Sequence, residues 1–265
     1  MKSRVILYFG SFNPVHRGHI ALAEWVVEQK LCDQIILIVS PQNPHKEPGD
    51  LAPEFSRYEM CEAACAESKY PEQIKCSAIE LTLERPSYTI NTLRYLKQNF
   101  GSAMEFSILM GADNIGAFDK WRNYEEILAE YPILVYPRRG YTVEKFAEQV
   151  TYLADAPMFD FAATDIRSAV SRREPIDDMV SPAVARYIRT NNLWSPARSI
   201  AELSRLIEDA QTDSAALRIE RAAHYFRTKE LDHAIEDFRE ALRLDPKCGE
   251  ARNALDMIEE MLKQN

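Results

Sequence analysis

The sequence predicts an α/β fold, a doubly wound parallel sheet flanked by helices, followed by a small all-α extension. Three observations predict it. Short apolar runs rich in Val, Ile and Leu recur, each closed by a turn and followed by a helical pattern. Such runs are what a parallel sheet buried on both faces requires. The first run also passes through a tight turn of small residues straight into a helix. From Ser199 onward the strand-like runs stop and helical periodicity continues.

Taken in order, Val5 to Phe9 forms the first strand, partly β-branched and stopped by Gly10. Gly10, Ser11 and the Asn13-Pro14 pair turn the chain. Ile20, Leu22, Trp25 and Val26, at three- and four-residue steps, predict a helix after it. Residues 34–40 form a second strand that leaves through Pro41, Pro44, His45, Lys46 and Pro48. That proline-rich loop departs from a carboxyl edge, where α/β folds bind ligands. Residues 55–68 read as a helix with Tyr58, Met60, Cys61, Ala64 and Cys65 as its apolar stripe. Residues 73–79 are a third strand, and Ser87 or Thr89 is a candidate cap for the helix that follows.

Residues 105–110 form the fourth strand, ending in Gly111-Ala112-Asp113, with Asp113 a further cap candidate. Residues 132–136 form the fifth, with Pro137-Arg138-Arg139-Gly140 as exit turn. Residues 158–162 read as a short sixth strand. Thr164 is the candidate cap of a helix that carries Arg167. The helical part spans 199–265, which leaves 1–195 to the α/β part. Within the helical part, Ala222, Tyr225, Ala234, Phe238, Ala241 and Leu244-Asp245-Pro246 lie close to a tetratricopeptide repeat. A single repeat cannot bury its own face. Helices at 200–210 and 251–262 are expected to flank it, packing on the α/β part, a second copy or a protein partner.

Composition narrows the function. With 46% hydrophobic and 28% charged residues the chain reads as an ordinary globular protein. It has no apolar run of about 18 residues, which argues against a membrane span. Met1 to Arg4 lead directly into the first strand, so no signal peptide is expected. The cysteines number 5, with no Cys-x-x-Cys pair, which predicts free thiols and a cytoplasmic location. A net charge of −9 argues against a general nucleic-acid binder. Any phosphate-binding site must then gather its cations locally, and Lys46, Arg138, Arg139 and Arg167 all fall near predicted strand ends.

His16 and His19 are three apart at the start of the first helix, so both can face one side. Each can donate a hydrogen bond or carry a proton near neutral pH, and Gly18 permits close approach to the backbone. No third ligand lies at a useful spacing for a metal. Two imidazoles at a helix N-terminus after a buried strand suit an anionic ligand.

The stretch Gly10-Ser-Phe-Asn-Pro-Val-His-Arg-Gly-His19 closely resembles the signature of the HxGH nucleotidyltransferases, specifically the nicotinate-nucleotide adenylyltransferases of bacterial NAD synthesis. Further stretches are similar to the same family: Pro44-His45-Lys46, Pro86-Ser87-Tyr88-Thr89 with Thr92-Leu93, Gly111 and Asp113 followed by Phe118 and Trp121, and Thr164-Asp165-Ile166-Arg167. The resemblance implies a Rossmann-like nucleotidyltransferase fold and adenylyl transfer from ATP to nicotinate mononucleotide. It implies catalytic roles for His16, His19 and Arg167. It implies ATP contacts from Gly10, Ser11, Phe12, Gly18, Gly111, Asp113, Arg138 and Thr164. Lys46, Tyr88, Thr89 and Trp121 are implied to bind the acceptor, and Mg²⁺ to accompany ATP with no dedicated protein cage.

One departure stands out. Ala162 and Ala163 occupy positions where the family carries serines, so two hydroxyl donors to the triphosphate are absent. The residues leave open an amidated acceptor or another HxGH substrate, and a nucleotide-binding scaffold with weak turnover. The implied chemistry needs no activated nucleophile, because a phosphate monoester with a second pKa of about 6 is already an anion. Catalysis then rests on alignment and on neutralising phosphate charge.

Overall fold

The structure is a computed structural model that describes residues 2–41, 51–196, 198–209 and 211–263. Two compact units are present, Met1–Ser195 and Pro196–Asn265. The first is built on a sheet of 6 strands in the order β3-β2-β1-β4-β5-β6, and every adjacent pair is parallel. The strands are β1 (Ser3–Gly10), β2 (Gln34–Val39), β3 (Ile74–Ser77), β4 (Met104–Gly111), β5 (Ile133–Tyr136) and β6 (Thr151–Tyr152). The chain winds outward from β1 through β2 to β3, then returns to place β4 on the other side of β1. The crevice between the carboxyl ends of β1 and β4 is therefore the switch point of a doubly wound sheet.

Side chains alternate between two cores, as the two-residue period of a strand demands. Ile6, Tyr8, Ile35, Leu37, Leu109, Leu134 and Tyr136 face one core. Val5, Leu7, Ile38, Ile108, Ile133 and Val135 face the other. The first core is closed by α1 (Arg17–Glu28), α2 (Glu54–Ala66), α7 (Ala163–Ser171) and α8 (Pro182–Thr190). The second is closed by α4 (Thr89–Phe100), α5 (Ala112–Ile115) and α6 (Tyr124–Glu130). A one-turn helix, α3 (Ile79–Thr82), follows β3.

Two expectations are corrected here. The sixth strand is Thr151–Tyr152, paired with Leu134 and Val135, and residues 158–162 are irregular. Both residues of β6 are exposed, so this edge strand has no apolar signature, whereas Met158, Phe159 and Phe161 are apolar without pairing to the sheet. The helix caps also differ. Neither Ser87 nor Thr89 caps α4, whose N-cap is Tyr88. Thr164 lies inside α7, where the Asp165 carboxylate accepts the Ala162 N–H at 2.7 Å.

The second unit contains α9 (Ile200–Glu208), α10 (Ala215–Arg227), α11 (Leu231–Leu244) and α12 (Gly249–Lys263). Small residues bring these helices close, with Ala222, Ala234, Ala241 and Ala251 buried around Phe238 and Ile258. Asp237 is buried there and accepts two bonds from Arg221, at 2.7 and 2.8 Å, and one from Arg218 at 3.3 Å. No helix among the described residues is long and apolar enough to cross a membrane.

Candidate active site

The turn after β1 is held by its own side chains. Phe12 adopts a left-handed φ of 44° and folds its ring back over Gly10, where an added Cβ would sit 2.9 Å from that ring. Asn13 is buried, and its Oδ1 accepts the Ala52 N–H at 2.9 Å. The turn ends at His16, the extended N-cap of α1. His19 occupies the third helical position, and its Nδ1 accepts the His16 N–H at 3.1 Å. This is half of a capping box with imidazole in place of the usual carboxylate.

That bond brings the two predicted histidines together. Their rings stack at 3.6 Å with 27° between planes. His16 is buried at 6% exposure, and His19 is half-buried. Phe161 stands edge-on to His16 at 5.4 Å, while Tyr8 and Phe12 stand edge-on to His19 at 5.9 and 5.1 Å. Burial, and secondarily the Arg138 cation, lower the His16 pKa to about 4. His16 is thus a neutral ring at physiological pH rather than the cation its type permits. Gly18 also bears on the packing of this turn. A Cβ there would lie 3.1 Å from the His16 ring and 3.2 Å from Phe159, a tight contact that those rings would have to relieve by a small shift.

Across the crevice, β4 and β5 deliver the second group. Gly111 ends β4, and an added Cβ would lie 2.2 Å from Asp113 Oδ1. Asp113, in the first turn of α5, faces Arg138 Nε at 3.4 Å instead of capping a helix. Arg138 also lies 5.7 Å from the centre of the Tyr136 ring. Tyr136 and Tyr8 join β5 to β1 through hydroxyls 3.1 Å apart, in a buried contact. Arg167, from α7, reaches the turn and donates to the Asn13 carbonyl at 3.0 Å. Thr164 is exposed on the first turn of that helix. Arg139 is placed outward, in an exposed pair with Asp160.

Tyr88, Thr89 and Trp121 belong to the other side of the sheet. Tyr88 and Trp121 both pack on the second core, Trp121 against Phe118 at 5.4 Å. The guanidinium of Arg122 lies 4.8 Å above the Tyr88 ring. Lys46 and His45 lie outside the described residues. The structure thus gathers His16, His19, Gly18, Phe12, Arg138, Asp113, Gly111 and Arg167 around the switch point.

Sequence reasoning missed several neighbours. Phe159 and Phe161 cover the histidine turn from an irregular segment. Arg57 sits buried beneath the turn. A signal for it existed: Arg57 is the first position of an i, i+3, i+4, i+7 stripe continued by Met60, Cys61 and Ala64, so it points inward.

The cytidylyltransferase-like family model matches residues 7–169. The chain belongs to that family. Among curated relatives, a "Probable nicotinate-nucleotide adenylyltransferase" of Flavobacterium psychrophilum is 36% identical over 194 residues, covering 72% of this chain and 98% of the relative. One of the same name from Bacteroides fragilis is 39% identical over 188 residues, covering 71% of this chain and 92% of the relative. A solved structure from Plasmodium falciparum, a nicotinic acid mononucleotide adenylyltransferase complexed with NaAD, superposes with a TM-score of 0.62 over 72% of this chain and 97% of its own. At 17% identity that likeness concerns the fold alone.

Proposed function

We propose that this chain transfers the adenylyl group of ATP to nicotinate mononucleotide, giving nicotinate adenine dinucleotide and pyrophosphate in NAD synthesis. The observation that carries this reading is the stacked His16–His19 pair at the start of α1, set at the sheet's switch point with Arg138 and Arg167 near it. The names of relatives at 36% and 39% identity support the same activity.

The acceptor's phosphate oxygen forms a bond to the α-phosphorus, and the bond from that phosphorus to the β-phosphate oxygen breaks, leaving pyrophosphate. The protein aligns the two and neutralises charge. His19 accepts at Nδ1, so a neutral His19 carries its proton on Nε2 and can donate it to a phosphate oxygen. His16 stays neutral and serves as a polar wall that orients its partner. Positive charge then comes from Arg138 and Arg167. The amides of Ala163 and Thr164, which open α7, have no carbonyl a turn earlier in the helix, and they offer donors where Ala162 and Ala163 supply no hydroxyl. Thr164 adds one hydroxyl. Gly10, Ser11, Phe12, Gly111 and Asp113 frame the adenosine side. Tyr88, Thr89 and Trp121 are assigned to the pyridine ring, and Lys46 to the phosphates.

Among the described residues no group of three His, Cys, Asp or Glu is placed to hold a metal ion. In this reading Mg²⁺ enters with the substrate, carried on the triphosphate and water. The free thiols of all 5 cysteines suit a cytoplasmic enzyme. Residues 1–195 form the catalytic unit in this reading, and 199–265 a tetratricopeptide-like unit for a second copy or a protein partner.

The test is pyrophosphate release with ATP and each of the two pyridine mononucleotides. Turnover with the acid form is expected. Turnover with only the amide form would correct the acceptor, and ATP binding without release from either would leave a scaffold.

A further inference from the structure

Helix α2 buries a guanidinium directly under the turn that follows β1. Arg57 is 0% exposed, and its four bonds all go to carbonyl oxygens. Its Nη1 donates to Ser11 at 2.7 Å and to Ser40 at 2.6 Å, its Nη2 to Pro41 at 2.6 Å, and its Nε to Ala52 at 3.1 Å. One side chain therefore ties the β1 exit turn to the end of β2 and to the chain at Ala52. The Ala52 N–H returns to Asn13 Oδ1, and Asn13 in turn accepts from Arg167.

The geometry has a consequence on the other side of the turn. In a trans peptide the carbonyl and the N–H point in opposite directions. With the Ser11 carbonyl drawn onto Arg57, the Phe12 N–H is aimed away from the guanidinium. Phe12 is left-handed, the kind of backbone that forms an anion-binding concavity. Carbonyls cancel the guanidinium's charge less than a paired carboxylate would; the Glu54 carboxylate acts on it only through space and is itself paired with Arg85.

We propose that Arg57 is a positioning residue for the nucleotide: it fixes the Ser11–Phe12 peptide with its N–H toward the phosphates and places a buried positive charge behind that turn. This rests on the adenylyltransferase reading above. A solely structural arginine would lower stability and leave the folded enzyme's preference for its substrates unchanged. A positioning arginine acts on ATP selectively.

The experiment uses the full chain carrying Arg57→Lys, which keeps the charge but loses the fork, and Arg57→Ala. Thermal unfolding, KM for ATP, KM for nicotinate mononucleotide and kcat are measured for each. KM for ATP is expected to rise about tenfold or more in Arg57→Lys, the scale of lost bonds to a charged group. KM for the mononucleotide should stay within about twofold, since no such bond to it is lost. Guanidinium ion should restore ATP affinity to Arg57→Ala, and methylammonium should not. If Arg57→Ala does not fold, Arg57→Lys carries the test. A folded Arg57→Lys enzyme with a lower melting temperature and an unchanged KM for ATP would overturn the proposal, as would equal losses for both substrates. A wild-type chain that releases no pyrophosphate would fail the functional reading instead, and ATP binding by equilibrium dialysis would still report on Arg57.

Discussion

His16 shows how burial changes what a residue type does. Unfolded histidine titrates near 6.5, and burial lowers the His16 value to about 4. Between those pH values the unfolded chain takes a proton that the folded chain refuses. Stability is thus fully present above about pH 6.5 and falls as pH drops toward 4, by roughly 2 kcal/mol at pH 5 from this group. Denaturant unfolding of wild type and His16→Gln at pH 7 and pH 5 checks this. The wild type should lose more on acidification, and parallel losses would contradict it. For His19, replacement by Ala should cut kcat by about a hundredfold to a thousandfold, the usual loss of one positioned donor. Pyrophosphate release from a variant with a native circular dichroism spectrum is the measurement, and near-normal turnover would refute the role.

At the level of elements, the ends of strands and helices carry the constraints. Gly111 closes β4 where an added Cβ would meet Asp113 Oδ1 at 2.2 Å. Gly111→Ala must move that carboxylate off Arg138. It is expected to weaken ATP binding about tenfold at little cost in stability, because the atom displaced is the free end of a flexible side chain. Calorimetric titration with ATP tests it, and unchanged affinity would show that Asp113 and Arg138 do not frame the nucleotide. In the helical unit, Asp237 is the shared partner of Arg218 and Arg221 between α10 and α11. Asp237→Ala leaves two guanidinium groups without it and should cost that unit about 3–5 kcal/mol. Helix loss in denaturant reports it, and a shift within experimental error would mean that water replaces the carboxylate.

For the molecule as a whole, two units with separate cores predict separable roles. A chain ending at Ser195 should retain pyrophosphate release, with kcat within about threefold of the full chain. Each unit has its own apolar core to bury, which is the basis of independent folding. A folded truncation with no turnover would show that the helices complete the catalytic unit. The strand order adds a reason for the site's place. Outward winding from β1 to β3, followed by return to β4, opens the crevice that the β1 turn and the Gly111 end share.

Much of this was legible in the residues. Val5 to Phe9, Gly10 and the histidine pair announced a buried strand, a tight turn and a helix that begins at two imidazoles, because each is a local pattern with a local cause. The parallel sheet and the helical extension were legible for the same reason. Local pattern failed where the cause lay elsewhere in the chain. β6 exists because Leu134 and Val135 offer it an edge, and its two exposed residues carry no trace of that. Asp165 rather than Thr164 caps α7 because its carboxylate reaches the Ala162 N–H. The stacking of His16 on His19, the cover of Phe161 and the four carbonyls around Arg57 join residues up to 145 positions apart, as Phe161 and His16 are. The sequence by itself determined the strands and helices that carry a local pattern, and which side chains are chemically able to handle phosphate. Only the tertiary structure decided which of them meet, which are stripped of water and which way each peptide faces, because those depend on contacts that no local periodicity encodes.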